Sequence, residues 1–253
     1  SSGLPDMEPA GWGFSYMDHT GGMYMAIAIL MALYHRLRTG EGQWVDMACC
    51  DAGLSLNGLQ VLDYTVNGRP GRREGHPVGN RAEWPAMAPH GIYRTVGEDQ
   101  WIAIACRDDA DWAVLAAQIG ESWASRPELG KLEGRLADQD RLDSRMNVWG
   151  GKFDKRELQD RLQAAGLAAA AVLEAQERIE NDRSNDAFNL WPTVRHSEMG
   201  EVRVDGLPVR FSRTPHVINW AAPCLGEHTD RVLSDLLGMS GEAIANLRAK
   251  GVV

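Results

Sequence analysis

Fourteen consecutive residues, Gly21 to Tyr34 (GGMYMAIAILMALY), carry no charge and are almost wholly apolar. An element that is apolar all round has no solvated face and calls for burial on several sides. The run falls short of the roughly 20 residues that cross a bilayer, and Arg36 and Arg38 close it. It therefore predicts a buried helix of a globular protein, from about His19 to Arg38, and not a membrane span. Thr39-Gly40-Glu41-Gly42 ends it, with Gly40 suited to the left-handed position after a helix. At the other end sits a lone carboxylate, Asp18, followed by His19 and Thr20. Two uses of Asp18 stay open. It can cap the helix and complement the macrodipole, or it can act as a carboxylate nucleophile. Gly21 and Gly22 weaken a helix, so they predict close approach of another element or of a ligand to the backbone.

The bulk numbers narrow the function classes. A chain of 253 residues with 44% hydrophobic content holds one large domain or two small ones. A net charge of −9 and a pI near 5.3 argue against nucleic acid or an anionic membrane as partner. Cys49, Cys50, Cys106 and Cys224 show neither a CxxC pair nor metal-ligand spacing with histidine. They read as reduced thiols, and no metal is expected. The segment SSGLPDMEPAGWG has no basic patch and no apolar core of a signal. A cytoplasmic protein is the expectation.

Gln43 to Ala48 alternates polar and apolar and predicts a strand. Asp51 to Thr65 is apolar at helical spacing and predicts a second helix. Residues 67–91 form a long loop that holds Arg69, Arg72, Arg73, Arg81, His76, Trp84 and His90. Such loops inside compact domains are commonly functional. Its arginines read equally as a solvated basic loop or as contacts to a phosphate or carboxylate. Gly91–Arg94 and Gln100–Cys106 predict a hairpin around Gly97-Glu98-Asp99. Helices are predicted for Asp109–Ile119, within 127–149, for Lys155–Ala165 behind Asp154, and for Glu174–Asn181. Ala168–Val172 reads as a strand or a helix edge. Val194–Phe211 predicts two strands, and two C-terminal helices follow, the last capped by Ser240. The class is α/β with a smaller α+β region. One helix and one strand at the start cannot make a parallel sheet by themselves.

Several segments, in order, resemble the family III CoA-transferases, the group that includes formate and carnitine CoA-transferases. They are Tyr16-Met17-Asp18-His19-Thr20-Gly21-Gly22, Arg38 to Asp46, Ala88-Pro89-His90-Gly91-Ile92-Tyr93, Gly97 to Trp101, and Leu225-Gly226-Glu227-His228-Thr229-Asp230. The resemblance covers nearly the whole chain and matches the C-terminal portion of longer family members. It implies a Rossmann-like large domain, incomplete in this chain, and a smaller α+β domain. Residues 1–79 and 196–253 would belong to the large domain and 80–195 to the small one. It also implies an interlocked homodimer, or a hetero-oligomer with a chain carrying the N-terminal half, and no membrane or nucleic-acid partner.

By the same resemblance Asp18 is the catalytic nucleophile, and coenzyme A is a substrate and not a permanently bound cofactor. CoA would pass from an acyl-CoA, such as succinyl-CoA, to a carboxylic acid through an aspartyl-acyl anhydride and an aspartyl-CoA thioester. Backbone N–H groups near Gly21 and Gly22 would hold the oxyanion. The Pro89-His90-Gly91 loop would close over the intermediate. Substrate contacts are expected from His19, Gly21, Gly22, Arg72, Arg81, Trp84, His90 and Gly91. Trp12, Phe14, Tyr16 and Trp84 read either as core or as an apolar acyl pocket. Formate CoA-transferase has a glycine run where this chain has Ala82-Glu83-Trp84-Pro85-Ala86-Met87, which argues against oxalate as substrate. The alternatives are an α-methylacyl-CoA racemase, using the same Asp in acid–base chemistry, and a companion subunit of a two-chain transferase.

Overall fold

The computed structural model of the protein describes residues 7–11, 15–76 and 78–253. The chain divides into two compact units, Ser1–Val172 and Leu173–Val253.

The first unit opens with α1 (Tyr16–Thr39), which stops at Gly40 in the left-handed conformation (φ 79°). The helix is as long as the apolar run demands, yet its flank is open in this chain: Ile27, Leu30 and Met31 are all more than half exposed. The expected strand at 43–48 does not form. No second strand lies beside it among the described residues, and Trp44 is exposed. The single helix expected at 51–65 is two, α2 (Cys49–Leu56) and α3 (Gly58–Asn67). The break falls at Asn57, which leaves helical geometry (φ −91°, ψ 19°) and donates its side-chain amide to the Gly53 carbonyl at 3.0 Å. A polar side chain that bonds the backbone of the preceding turn competes with helix continuation.

The long loop after α3 contains structure of its own. Arg73 and His76 form an isolated bridge, and β1 (Ala82–Glu83) pairs with β2 (Ala86–Met87) around Trp84-Pro85. Then come β3 (His90–Arg94) and β4 (Trp101–Ala105), the expected hairpin. Residues 168–171 resolve as a strand, β5 (Ala168–Ala171), on the far edge of β4. The sheet order is β3-β4-β5, with both pairings antiparallel. Side chains alternate across this sheet. Tyr93, Ile102, Ile104 and Ala169 are buried on one face. The opposite face carries Ile92, Ala103, Ala105, Ala168 and Ala170, and Arg94 lies over the Trp101 ring at 4.7 Å.

Helices cover the buried face. They are α4 (Asp109–Ile119), α5 (Leu132–Ala137), α6 (Gln139–Gly150) and α7 (Lys155–Ala164), with a 3₁₀ turn at Pro127–Gly130 before α5. Two of them start on true caps. Asp108 accepts from the Asp111 N–H, and Asp154 accepts from those of Arg156 and Glu157. Trp112, Leu115, Leu142, Met146, Trp149, Leu158 and Leu162 pack with the sheet into one core. Helices on one face of an antiparallel sheet make this part α+β.

A buried cation joins three segments of that core. Arg135 is fully buried. Its Nε donates to the Ala88 carbonyl at 2.6 Å, Nη1 to that of Leu129 at 2.9 Å, and Nη2 to Asp109 at 3.0 Å. The guanidinium also lies 5.6 Å from the centre of the Trp112 ring.

The second unit holds α8 (Ala175–Asn181), α9 (Arg183–Phe188), the antiparallel hairpin β6 (Thr193–His196) and β7 (Gly200–Arg203), α10 (Thr229–Asp235) and α11 (Gly241–Ala249). Glu174 and Glu177 form a capping box on α8, and Ser240 caps α11 as expected. The His196 Nδ1 accepts from the Glu198 and Met199 N–H groups, which closes the hairpin turn. Among the described residues every strand pairing is antiparallel. No described helix is long and apolar enough to cross a membrane.

Two predictions test this core. Removing one partner of a buried charged network leaves the others unpaired and costs about 3–5 kcal/mol. Arg135→Met is expected to lose stability on that scale in urea unfolding, and Arg135→Lys is expected not to restore it, since an ammonium cannot span three fixed acceptors. Burial pushes the Cys106 thiol up to about 12. Iodoacetamide at pH 8 is therefore expected to label the exposed Cys49 and Cys50 and to spare Cys106 until the protein unfolds, read by peptide mass spectrometry.

Candidate active site

Asp18 lies in the first turn of α1, three residues after the N-cap position, which Ser15 occupies without a side-chain capping bond. Asp18 is therefore not the cap. Its carboxylate is exposed, and no described residue hydrogen-bonds to it. The helix macrodipole favours negative charge at this end. The next turn is held by Thr20, whose hydroxyl donates to the Tyr16 carbonyl at 2.8 Å. His19 is exposed beside it, with its N–H donating to the Ser15 carbonyl.

The two glycines of this turn have different surroundings. Gly21 is buried, and a Cβ there would lie 2.5 Å from the Cys49 sulfur of α2. The close approach read from the sequence is thus made by another helix. Gly22 is exposed, and a Cβ there would meet nothing within 4 Å.

A second group of expected residues meets at a cavity of about 710 Å³ on the open face of the β3-β4-β5 sheet. Its floor is formed by Ala103, Ala105, Ala168 and Ala170, and its rim by Arg81, His90 and Gly91. His90 donates Nδ1–H to the Asn80 carbonyl, which leaves Nε2 as the acceptor of the neutral ring. Gly91 has no side chain for a reason: a Cβ would sit 3.0 Å from the Tyr93 hydroxyl, on the same strand face two residues on.

Arg81 is held by carboxylates of the protein itself. Its Nη2 donates to Asp140 at 2.6 Å and to Asp143 at 2.7 Å, and its Nε to Asp143 at 3.0 Å. Burial pulls the guanidinium down, but these bonds outweigh it and hold its pKa above the ordinary arginine value. The other Asp143 oxygen accepts from the Tyr93 hydroxyl at 2.9 Å. Burial, and then Asp143, keep that phenol protonated well above its usual range.

The remaining expected residues stand apart. Arg72 is exposed and donates to the Met7 carbonyl. Trp84, at the tip of the β1–β2 hairpin, is 94% exposed and borders a different hollow with Arg69, Arg73 and His76. His76 is joined to Glu83 at 2.9 Å. Tyr16 is exposed in α1, and Trp12 and Phe14 lie outside the described residues. Among the described residues no group of three or more His, Cys, Asp or Glu side chains is placed to hold a metal ion.

A family model described as CoA-transferase family III matches residues 1–229. The chain belongs to that family. A succinyl-CoA–D-citramalate CoA-transferase of Chloroflexus aurantiacus is 28% identical over 253 residues, covering all of this chain and 61% of the relative. The beta subunit of a succinyl-CoA–L-malate CoA-transferase from the same organism is 29% identical over 255 residues, again covering all of this chain and 61% of the relative. The crystal structure of a CAIB/BAIF family protein from Brucella suis is similar with a TM-score of 0.76 at 25% identity, over 93% of this chain and 59% of that one. The α/β fold is thus that of family III, and this chain spans about three-fifths of the length of these relatives.

Within this family III chain the sequence left Asp140, Asp143 and Arg135 unmarked. A signal was present for the first two, since carboxylates three apart on a helix share a face. Arg135 had none, because its partners are backbone carbonyls far away in sequence. If Arg81 serves the loop, its loss and that of Asp143 will not add. Arg81→Gln and Asp143→Asn are each expected to lower the unfolding midpoint. The double variant is expected to lose less than the sum, with a coupling of about 1 kcal/mol in thermal or urea unfolding.

Proposed function

We propose that this chain supplies the carboxylate nucleophile, Asp18, of a CoA-transferase that moves CoA from an acyl-CoA such as succinyl-CoA to a carboxylic acid. The observation that carries this reading is the place of Asp18: in the first turn of a 24-residue helix, exposed, and unclaimed by any described hydrogen-bond donor. The first turn of a helix favours a carboxylate, and this one is left open to a reacting group by having no cap, arginine or turn bonded to it among the described residues. The names of the relatives support succinyl-CoA as donor.

In the first step an Asp18 oxygen attacks the thioester carbonyl, the C–S bond breaks, and CoA leaves as thiolate, giving a mixed anhydride. The thiolate then attacks the aspartyl carbonyl, releases the donor acid and leaves an aspartyl-CoA thioester. The acceptor carboxylate attacks that thioester carbonyl, its C–S bond breaks, and CoA leaves again as thiolate, giving a second anhydride. Returning thiolate takes the acceptor's acyl group and frees Asp18. Covalent catalysis divides a hard exchange into easier ones in this way. Backbone N–H groups of the α1 first turn would stabilise the oxyanions. The open apolar flank of α1 supports a further element of the proposal. It is covered, in the active protein, by the part of the family III fold that this chain does not span, or by a partner chain.

The test is mass spectrometry of the active protein after brief incubation with succinyl-CoA and quenching with hydroxylamine. A hydroxamate on the peptide that holds Asp18 is expected, and Asp18→Asn is expected to lack it and to lose at least a thousandfold in turnover. An unmodified Asp18 in a protein that turns over would overturn the mechanism.

A further inference from the structure

The first turn of α1 lacks a side-chain cap at Ser15, and uncapped helix ends fray. A nucleophile on a fraying turn would sample many positions. The structure holds this turn from the side. Gly21 lies one helical turn after Met17, on the same row, and both face α2. A Cβ at Gly21 would lie 2.5 Å from the Cys49 sulfur and 3.4 Å from its Cβ. A Cβ at Gly53 of α2 would lie 2.1 Å from the Met17 methyl carbon and 2.7 Å from its sulfur. Each helix thus offers a glycine notch to a sulfur-bearing side chain of the other. The two contacts bracket Asp18 in sequence, at positions 17 and 21. Gly21 and Gly53 are buried, whereas Asp18 is exposed on the flank.

We infer that Cys49 and Gly21, with Met17 and Gly53 as the second contact, are positioning residues that fix where Asp18 stands for the covalent step. This rests on the reading of Asp18 as nucleophile. The two contacts differ in stiffness. The Met17 end is flexible and can swing away. The Cys49 sulfur can move only by turning about its own Cα–Cβ bond, so a methyl at Gly21 must displace that sulfur from the notch or push the helices apart. Misplacement of a reacting group by about 1 Å can cost up to a hundredfold in rate.

The test uses the complete active protein that contains this chain. Gly21→Ala is informative because alanine favours a helix over glycine, so without the clash the change would stabilise α1. Expected is a loss of about tenfold or more in kcat and in the rate of the Asp18 adduct, with KM changed less than about threefold. In Gly21→Ala/Cys49→Ala the sulfur is gone, and recovery to within a few-fold of wild type is expected. Should Gly21→Ala fail to fold, Cys49→Leu enlarges the peg from the α2 side and is expected to show the same split. A wild-type rate in Gly21→Ala or Cys49→Leu, or a double variant as slow as Gly21→Ala, overturns the positioning role while leaving Asp18 as nucleophile. A wild-type protein that turns over without forming the Asp18 adduct overturns both.

Discussion

The guanidinium of Arg135 joins parts of the chain that have no other reason to meet. Its three acceptors belong to the segment before β3, the 3₁₀ turn before α5, and the first residue of α4. The Ala88 carbonyl is next to Pro89, whose own carbonyl receives the Cys106 N–H at the far end of β4. The same cation therefore anchors the start of the sheet, the end of its hairpin and the helices that cover it. A buried arginine is tolerated because planar, fixed donors meet fixed acceptors, so little order has to be created for each bond. The cavity rim and the His90 strand inherit their position from this arrangement.

Charge near the cavity follows a similar rule. The arginine that the loop brings to the rim is already met by Asp140 and Asp143, and Asp143 in turn anchors the buried Tyr93 hydroxyl. This is a structural network that reaches from an exposed loop into the core. Its acceptors are the protein's own. The alanine floor beside it has no polar side chain and offers shape without charge.

Much of this was legible in the residues. The apolar run from Gly21 to Tyr34 announced α1, Gly40 its end, and the alternation in Gln100–Cys106 the central strand. Asp154 and Ser240 marked helix starts by the chemistry of their side chains. What failed did so for want of a long-range partner. Gln43–Ala48 has strand periodicity, but a strand exists only when another pairs with it, and none does among the described residues. The break at Asn57 depends on one side chain bonding back to Gly53, which periodicity cannot register. The apolar coat of α1 asks for burial that the described residues do not provide, consistent with a chain that spans 61% of its relatives. Asp18 was legible as an oddity, a carboxylate at the mouth of an apolar helix. That it is not the cap needed the backbone at Ser15.

The crossed contacts of α1 and α2 carry a consequence for how such a chain can change over generations. Each notch is shaped by a side chain of the opposite helix: Gly21 by Cys49, Gly53 by Met17. A larger residue in either notch is acceptable only after the facing peg has shrunk, and a larger peg only where the notch can widen. The four positions are therefore sterically coupled in two pairs, so that a change at one restricts what its partner can be. Asp18 stands between two of them in sequence, so any such exchange is made on either side of it.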